Sequence, residues 1–190
     1  MILRRSFVLA LITLACAVSH GVARANEEAE SAWQLAEQRG KLHRDALRRV
    51  DRVLNAWLKK IDPETGLVPQ RYDGPQFWTV ANSAADIYSS LVLDAIFVNR
   101  PAMDGVLKRA LTTERERAQR IGVLPDDIDL ETFTFRQAEP SFSRIQFSAS
   151  EWCRDGLLRV TEILGTDNPW FERMAELSDA IMTHADVESP

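Results

Sequence analysis

At 190 residues, with 45% apolar and 27% charged side chains, the chain is long enough to bury one core of ordinary domain size. Its net charge of −5 falls to −8 without residues 1–25, which hold three arginines and no acid; such a surface repels phosphate backbones and excludes nucleic acid as a natural partner. Of the two cysteines, only Cys153 lies beyond residue 25, so packing rather than an internal disulfide must hold the fold.

In chain order, residues 1–25 come first and read as a secretory signal peptide. Arg4 and Arg5 precede the apolar run Phe7 to Val18, and Ala23-Arg24-Ala25 supplies the small-residue cleavage site. Cleavage after Ala25 predicts an exported protein, periplasmic or extracellular. Arg4-Arg5-Ser6-Phe7 also resembles a twin-arginine signal, although the strongly apolar run fits the general secretory route better. Lipidation at Cys16 is disfavoured, because Thr13 stands where such signals usually carry leucine. The run is shorter than the about 20 residues a membrane span requires, and no later stretch qualifies, so no span is expected.

Residues 26–190 read as one α-helical hairpin-repeat domain. Leu42, Ala46, Val50, Val53 or Leu54, Trp57 and Ile61 recur every three to four residues and mark the stripe of a long first helix, with Gly40 placed to break its first turns from the rest. Asp62-Pro63-Glu64-Thr65-Gly66 stops it. A loop rich in Pro, Gly and aromatics leads to Ser83, where Asp86 three residues on completes a capping-box-like pair; this second helix runs to about Asn99. Pro101 opens a third helix carrying Val106, Leu107, Ala110 and Leu111 and ending near Gly122. A second loop, Val123 to Phe147, contains the strand-like alternation Thr132-Phe133-Thr134-Phe135. Ser148 and Glu151 reopen the helix with a capping box, above a stripe of Ala149, Cys153, Gly156 or Leu157, Val160 and Leu164. Gly165 stops it, and Pro169 starts a last helix with Phe171, Met174, Leu177 and Ile181.

The chain repeats itself. Gly66-Leu67-Val68-Pro69 recurs as Gly122-Val123-Leu124-Pro125, and Ser83-Ala84-Ala85-Asp86 as Ser148-Ala149-Ser150-Glu151. Each serine is followed by helix, short turn and helix, so the fold class is all-α, built of repeated helical hairpins with a period of roughly 60 residues. The copies differ in their loops: Pro69 to Ser83 spans 14 positions and Pro125 to Ser148 spans 23.

Chemistry-bearing residues are sparse. Asp86 and Glu151 are matching carboxylates at predicted helix starts, and such a pair serves acid/base glycoside chemistry if it faces across roughly 5 to 10 Å. Glu151, Asp155, Arg159 and Glu162 share one helical face, which reads first as a solvated surface. Asp126-Asp127-Ile128-Asp129-Leu130-Glu131 lacks the glycine and ligand spacing of a calcium loop and reads as an acidic loop; His43 and His184 are isolated, so no metal site is expected. No phosphate loop, dinucleotide fingerprint or nucleophile elbow appears, and no cofactor is expected. The first long loop is the stronger candidate. Arg71, Tyr72, Asp73, Gln76, Phe77, Trp78 and Asn82 mix flat aromatic faces with hydrogen-bonding side chains, the combination that grips sugars. Against it stands a reading in which Phe77 and Trp78 cover the helix ends as a local mini-core.

The run Asp62 to Pro69, the stretch Trp78 to Tyr88 with Asn82, Ala85, Asp86 and Tyr88, and Ser150-Glu151-Trp152 to Gly165 together resemble the six-hairpin glycosidase-like (α/α toroid) superfamily. The resemblance covers about residues 40 to 186. It implies long loops and helix starts around a central cleft, a polysaccharide or oligosaccharide partner, and hydrolase or lyase activity if the protein is an enzyme. The catalytic candidates remain the matching carboxylates Asp86 and Glu151, and the substrate-binding candidates are Arg71, Tyr72, Trp78, Asn82 and Tyr88; of these the resemblance itself offers Arg71, Tyr72, Asn82 and Tyr88 for the cleft and carries no certain catalytic assignment. A full ring of six hairpins takes roughly 360 residues, so this chain supplies a partial α/α toroid or open helical array, with self-association or a missing C-terminal partner segment implied. The alternative function is a non-catalytic helical interaction module of the periplasm or cell exterior.

Overall fold

The computed structural model describes residues 2–74 and 76–184, with side chains described from Ala29 onward. The predicted leader, residues 1–25, lies outside the residues with described side chains. No helix of the described residues is long and apolar enough to cross a membrane. Among the described residues the protein is mostly helical, with five helices and two small two-stranded sheets, and the chain divides into two units, Met1–Arg48 and Arg49–Pro190.

The first unit is helix. Helix α1 runs Ile2–Leu58 without a break at Gly40, because one helical glycine costs only about 1 kcal/mol against alanine and its flanks are good helix formers. In this unit the first residues of the expected apolar stripe are not buried: Leu42 is 65% exposed and Ala46 is exposed as well.

The second unit holds the core. The end of α1 enters it at Leu54, which is fully buried while Val53 is exposed, so the stripe follows Leu54, with Ile61 buried beyond the helix end. Asp62 then closes the turn: its Oδ1 accepts hydrogen bonds from the Glu64 and Thr65 amides and the Thr65 hydroxyl. Gly66 has φ 74°, and a Cβ there would lie 2.4 Å from the Val106 carbonyl oxygen, so only glycine lets this turn sit against the third helix. Thr113 Oγ1 donates to the Thr65 carbonyl, fastening the same contact.

Helix α2 spans residues 80–98. It starts three residues before the expected Ser83, and the cap is different: Thr79 Oγ1 accepts from the Ser83 amide while Ser83 Oγ accepts from the Thr79 amide. The expected Ser83–Asp86 pair does not form. The reciprocal cap is one residue longer than a capping box because the first turns, Val80–Tyr88, are wound wide in π geometry. Helix α3 spans residues 100–117, capped by Asn99 Oδ1 on the Ala102 amide, with a second wide segment at Met103–Leu107. It ends short of Gly122, since Gln119–Ile121 (β2) turns back on Leu124–Pro125 (β3) through Gly122.

Helix α4 spans residues 142–164, opening six residues before the expected Ser148. The Ser148–Glu151 capping box is therefore absent, and Ser148 is a buried mid-helix residue. The reason is Ile145, fully buried in the first turn, which draws the segment onto the core and folds the polar-looking residues before Ser148 into the helix. Its third wide segment, Trp152–Leu157, lies against the wide start of α2, and a Cβ on Gly156 would be 2.5 Å from Ser89 Oγ and 3.1 Å from the Ala85 Cα. Gly165, at φ 78°, ends α4, and α5 runs Pro169–His184. Trp170, Arg173 and Leu177 are its buried face; Phe171, Met174 and Ile181 are only partly buried.

Two hairpins, α2–α3 and α4–α5, thus pack side by side. Their long loops meet at one end. Phe77–Trp78 (β1) pairs antiparallel with Ile128–Asp129 (β4), with Phe77 opposite Asp129 and Trp78 opposite Ile128. The alternation at Thr132 to Phe135 is not a strand; Phe133 turns through φ 55°, and only Phe135 bridges back, to Ile128.

Candidate functional site

The joined loops form a cleft of about 190 Å³ lined by Gln70, Arg71, Phe77 and Arg136. Two backbone bonds fix its walls: the Gln70 amide donates to the Phe77 carbonyl, and the Leu130 amide to the Gln76 carbonyl. Arg136 comes from the second loop, held by its amide on the Asp127 carbonyl, and its guanidinium lies 4.7 Å from the Phe77 ring centre. Two further arginines stack on this loop's phenylalanines, Arg120 on Phe135 at 4.2 Å and Arg117 on Phe133 at 5.4 Å.

The acidic stretch beneath is occupied by structural bonds. Asp126, fully buried, takes the Arg144 guanidinium at 2.5 Å and the Asp127 amide. Asp127 Oδ1 accepts the Val80 amide, tying the second loop to the start of α2; burial raises its carboxyl above the usual range, with that bond and Arg144 opposing. Asp129 accepts the Glu131 and Thr132 amides, and these bonds hold its carboxyl below the usual range.

Of the residues that sequence singled out in the first loop, Arg71 and Phe77 line the cleft. Tyr72 packs edge-on against Trp57 with Lys60 over its ring, and Asn82 is exposed in the first turns of α2. Trp78 and Tyr88 are corrected from binding to core positions, being 2% and 3% exposed. Trp78 stands edge-on to Trp152; the Tyr88 hydroxyl donates to the Leu107 carbonyl and accepts from Trp170 Nε1, both at 2.8 Å. Burial drives the Tyr88 hydroxyl far above its ordinary value. The expected carboxylates are dissimilar in setting: Asp86 is exposed, whereas Glu151 is half-buried with the Arg154 guanidinium 3.9 Å away.

Sequence reasoning missed Arg136 and the whole buried polar centre. Arg173 is fully buried and grips Glu114 from α3 through Nε at 2.9 Å and Nη2 at 2.5 Å, while Nη2 also donates to the Val123 carbonyl and Nη1 to Glu176. The guanidinium lies 5.7 Å from the Trp152 ring centre. Burial pushes the Glu114 carboxyl up to about 7, against the pull of Arg173. Glu114, Tyr88, Trp78 and Trp152 line a cavity of only about 10 Å³, the size of a single water and too small for a substrate. This centre is a cross-brace.

No family model, curated protein or solved structure matches the chain. Function must therefore be argued from the site.

Between α4 and α5 a second, mainly apolar groove of about 390 Å³ is lined by Cys153, Leu158, Met174, Ile181 and Met182 among others. Burial raises the Cys153 thiol above its ordinary value, which keeps it protonated and a poor nucleophile.

Proposed function

We propose that this is an exported carbohydrate-binding protein whose site is the cleft between the two joined loops, on a scaffold corresponding to part of an α/α toroid. The observation that carries the reading is the β1–β4 pairing, which unites both long loops at the end of the hairpins where α2 and α4 begin. The described lining groups are an amide, two guanidinium groups and an aromatic ring, which bind and orient a polyhydroxylated ligand. None of them is an acid/base carboxylate, which favours binding over hydrolysis or elimination at this position. A glycan-binding and degradation screen on the full chain tests the reading: retention on one polysaccharide class without release of reducing ends is expected, and no retention on any class overturns it.

The alternative is a non-catalytic interaction module. The apolar groove between α4 and α5 favours it, together with Phe147 and Ile163 of α4, exposed at 63% and 55%. A purified protein that self-associates and ignores glycans would select that reading.

A further inference from the structure

We infer that the loop cleft recognises a negatively charged group carried by the glycan, a carboxylate or a sulfate ester, with Arg71 and Arg136 as the recognising residues. The inference rests on the carbohydrate reading of the same cleft.

Beyond residue 60 the chain holds 22 acidic and 12 basic residues, and several of its arginines are committed to acids: Arg173 to Glu114, Arg115 to Glu172 and Glu176, Arg144 to Asp126 and Asp127, Arg154 to Asp155. Arg71 has no ion pair or hydrogen bond among the described residues, and the Arg136 guanidinium has its contact with Phe77 and no hydrogen bond there. Two exposed, hydrated guanidinium groups lining one cleft of an otherwise acidic surface are available to an anion without first breaking a salt bridge.

A guanidinium lying over an aromatic face keeps its N–H edge free and its orientation limited, so it meets a planar or tetrahedral oxyanion with little further loss of freedom. Arg136 over Phe77 has that arrangement, and Arg120 over Phe135 repeats it nearby, its Nη2 spent on the Ala138 carbonyl. Gln70, in the same lining, adds an amide that can bond either the anion or a neighbouring hydroxyl. Asp127 attracts the Arg136 guanidinium without a hydrogen bond to it, its own bonds going to the Val80 amide and Arg144, so the two cleft arginines keep an excess of positive charge.

The test is calorimetric titration of the full chain with oligogalacturonate, dextran sulfate, neutral dextran and inorganic sulfate. Binding of at least one charged glycan is expected, with neutral dextran weaker by about tenfold or more, and Arg71→Gln and Arg136→Gln each losing about tenfold, the scale of one charge-assisted contact. Raising the salt concentration should weaken the charged glycan and leave any neutral binding unchanged. Arg159→Gln, an exposed arginine on α4, is the control and should retain wild-type affinity. Oligogalacturonate against dextran sulfate assigns the anion as carboxylate or sulfate. Equal binding of charged and neutral glycans, insensitive to both cleft substitutions, would overturn this inference and leave the carbohydrate reading standing; so would an equal loss in Arg159→Gln, which would signal unspecific attraction. Binding of inorganic sulfate lost in Arg71→Gln, with no glycan bound, would overturn the carbohydrate reading while keeping the anion site. No binding by any ligand overturns both.

Discussion

Two regions of this protein use the same side chains for opposite ends. In the buried centre Arg173 lies by Trp152 and grips Glu114; in the loop cleft Arg136 lies over Phe77 with no salt bridge or hydrogen bond to a carboxylate among the described residues. The difference is solvent. A guanidinium withdrawn from water must be matched by fixed acceptors or the fold does not survive, whereas one at the surface is hydrated and can wait for a ligand. Arginine-on-aromatic pairs therefore say nothing of function until burial and partners are known.

The comparison predicts a wide gap in stability effects. Arg173→Met removes one member of a buried pair and should cost about 3–5 kcal/mol in urea unfolding at pH 8. The loss should be smaller at pH 5, because the orphaned Glu114 carboxyl can then take a proton. Should the variant unfold as the wild type does at pH 8, the centre is no brace.

Next comes the pH dependence of Glu114. Its folded pKa, at about 7, lies above the unfolded value near 4.5, so the folded state binds more protons between the two. Its contribution to stability is full below about 4.5 and is lost as pH rises through about 7, an effect on the order of 1–3 kcal/mol. Unfolding of Glu114→Gln across pH 5 to 8 should be flatter than wild type by that amount; parallel curves would remove Glu114 as the cause.

Tyr88→Phe is a milder probe of the same region. It strips Trp170 Nε1 of its acceptor and Leu107 of its donor, and about 1–3 kcal/mol should be lost. A neutral result would mean that Tyr88 is not the latch between α2, α3 and α5. At the bottom of the scale, Arg71→Gln and Arg136→Gln should change stability by less than about 0.5 kcal/mol, as surface substitutions do, while losing ligand. A large stability loss in Arg136→Gln would mean that its stack on Phe77 holds the loops together and that the cleft is structural.

Much of the fold was legible because its signals are local. The stripe of α3 (Leu107, Ala110, Leu111), the stop at Gly165 and the start at Pro169 follow from spacing and backbone freedom, and the structure agrees with each. Both misplaced helix starts have tertiary causes. Thr79 became the cap of α2 only because the first turns are wound wide, and Ile145 pulled the front of α4 onto the core. The site was half legible. Arg71 stands in an aromatic loop that sequence singled out; Arg136 sits on the other loop, and only the interleaved Phe133, Phe135 and Arg136 hinted at it. Glu114 and Arg173, 59 positions apart, look like ordinary surface charges until α3 and α5 are packed.

From sequence alone came the helical class, the duplicated hairpin and the candidacy of the unequal loops, since periodicity, proline and glycine act within a few residues. Tertiary structure alone decided which arginine is braced and which is free, which aromatics are core, and that the two loops form one cleft. Those outcomes depend on which distant segments exclude water together, and no local pattern encodes that.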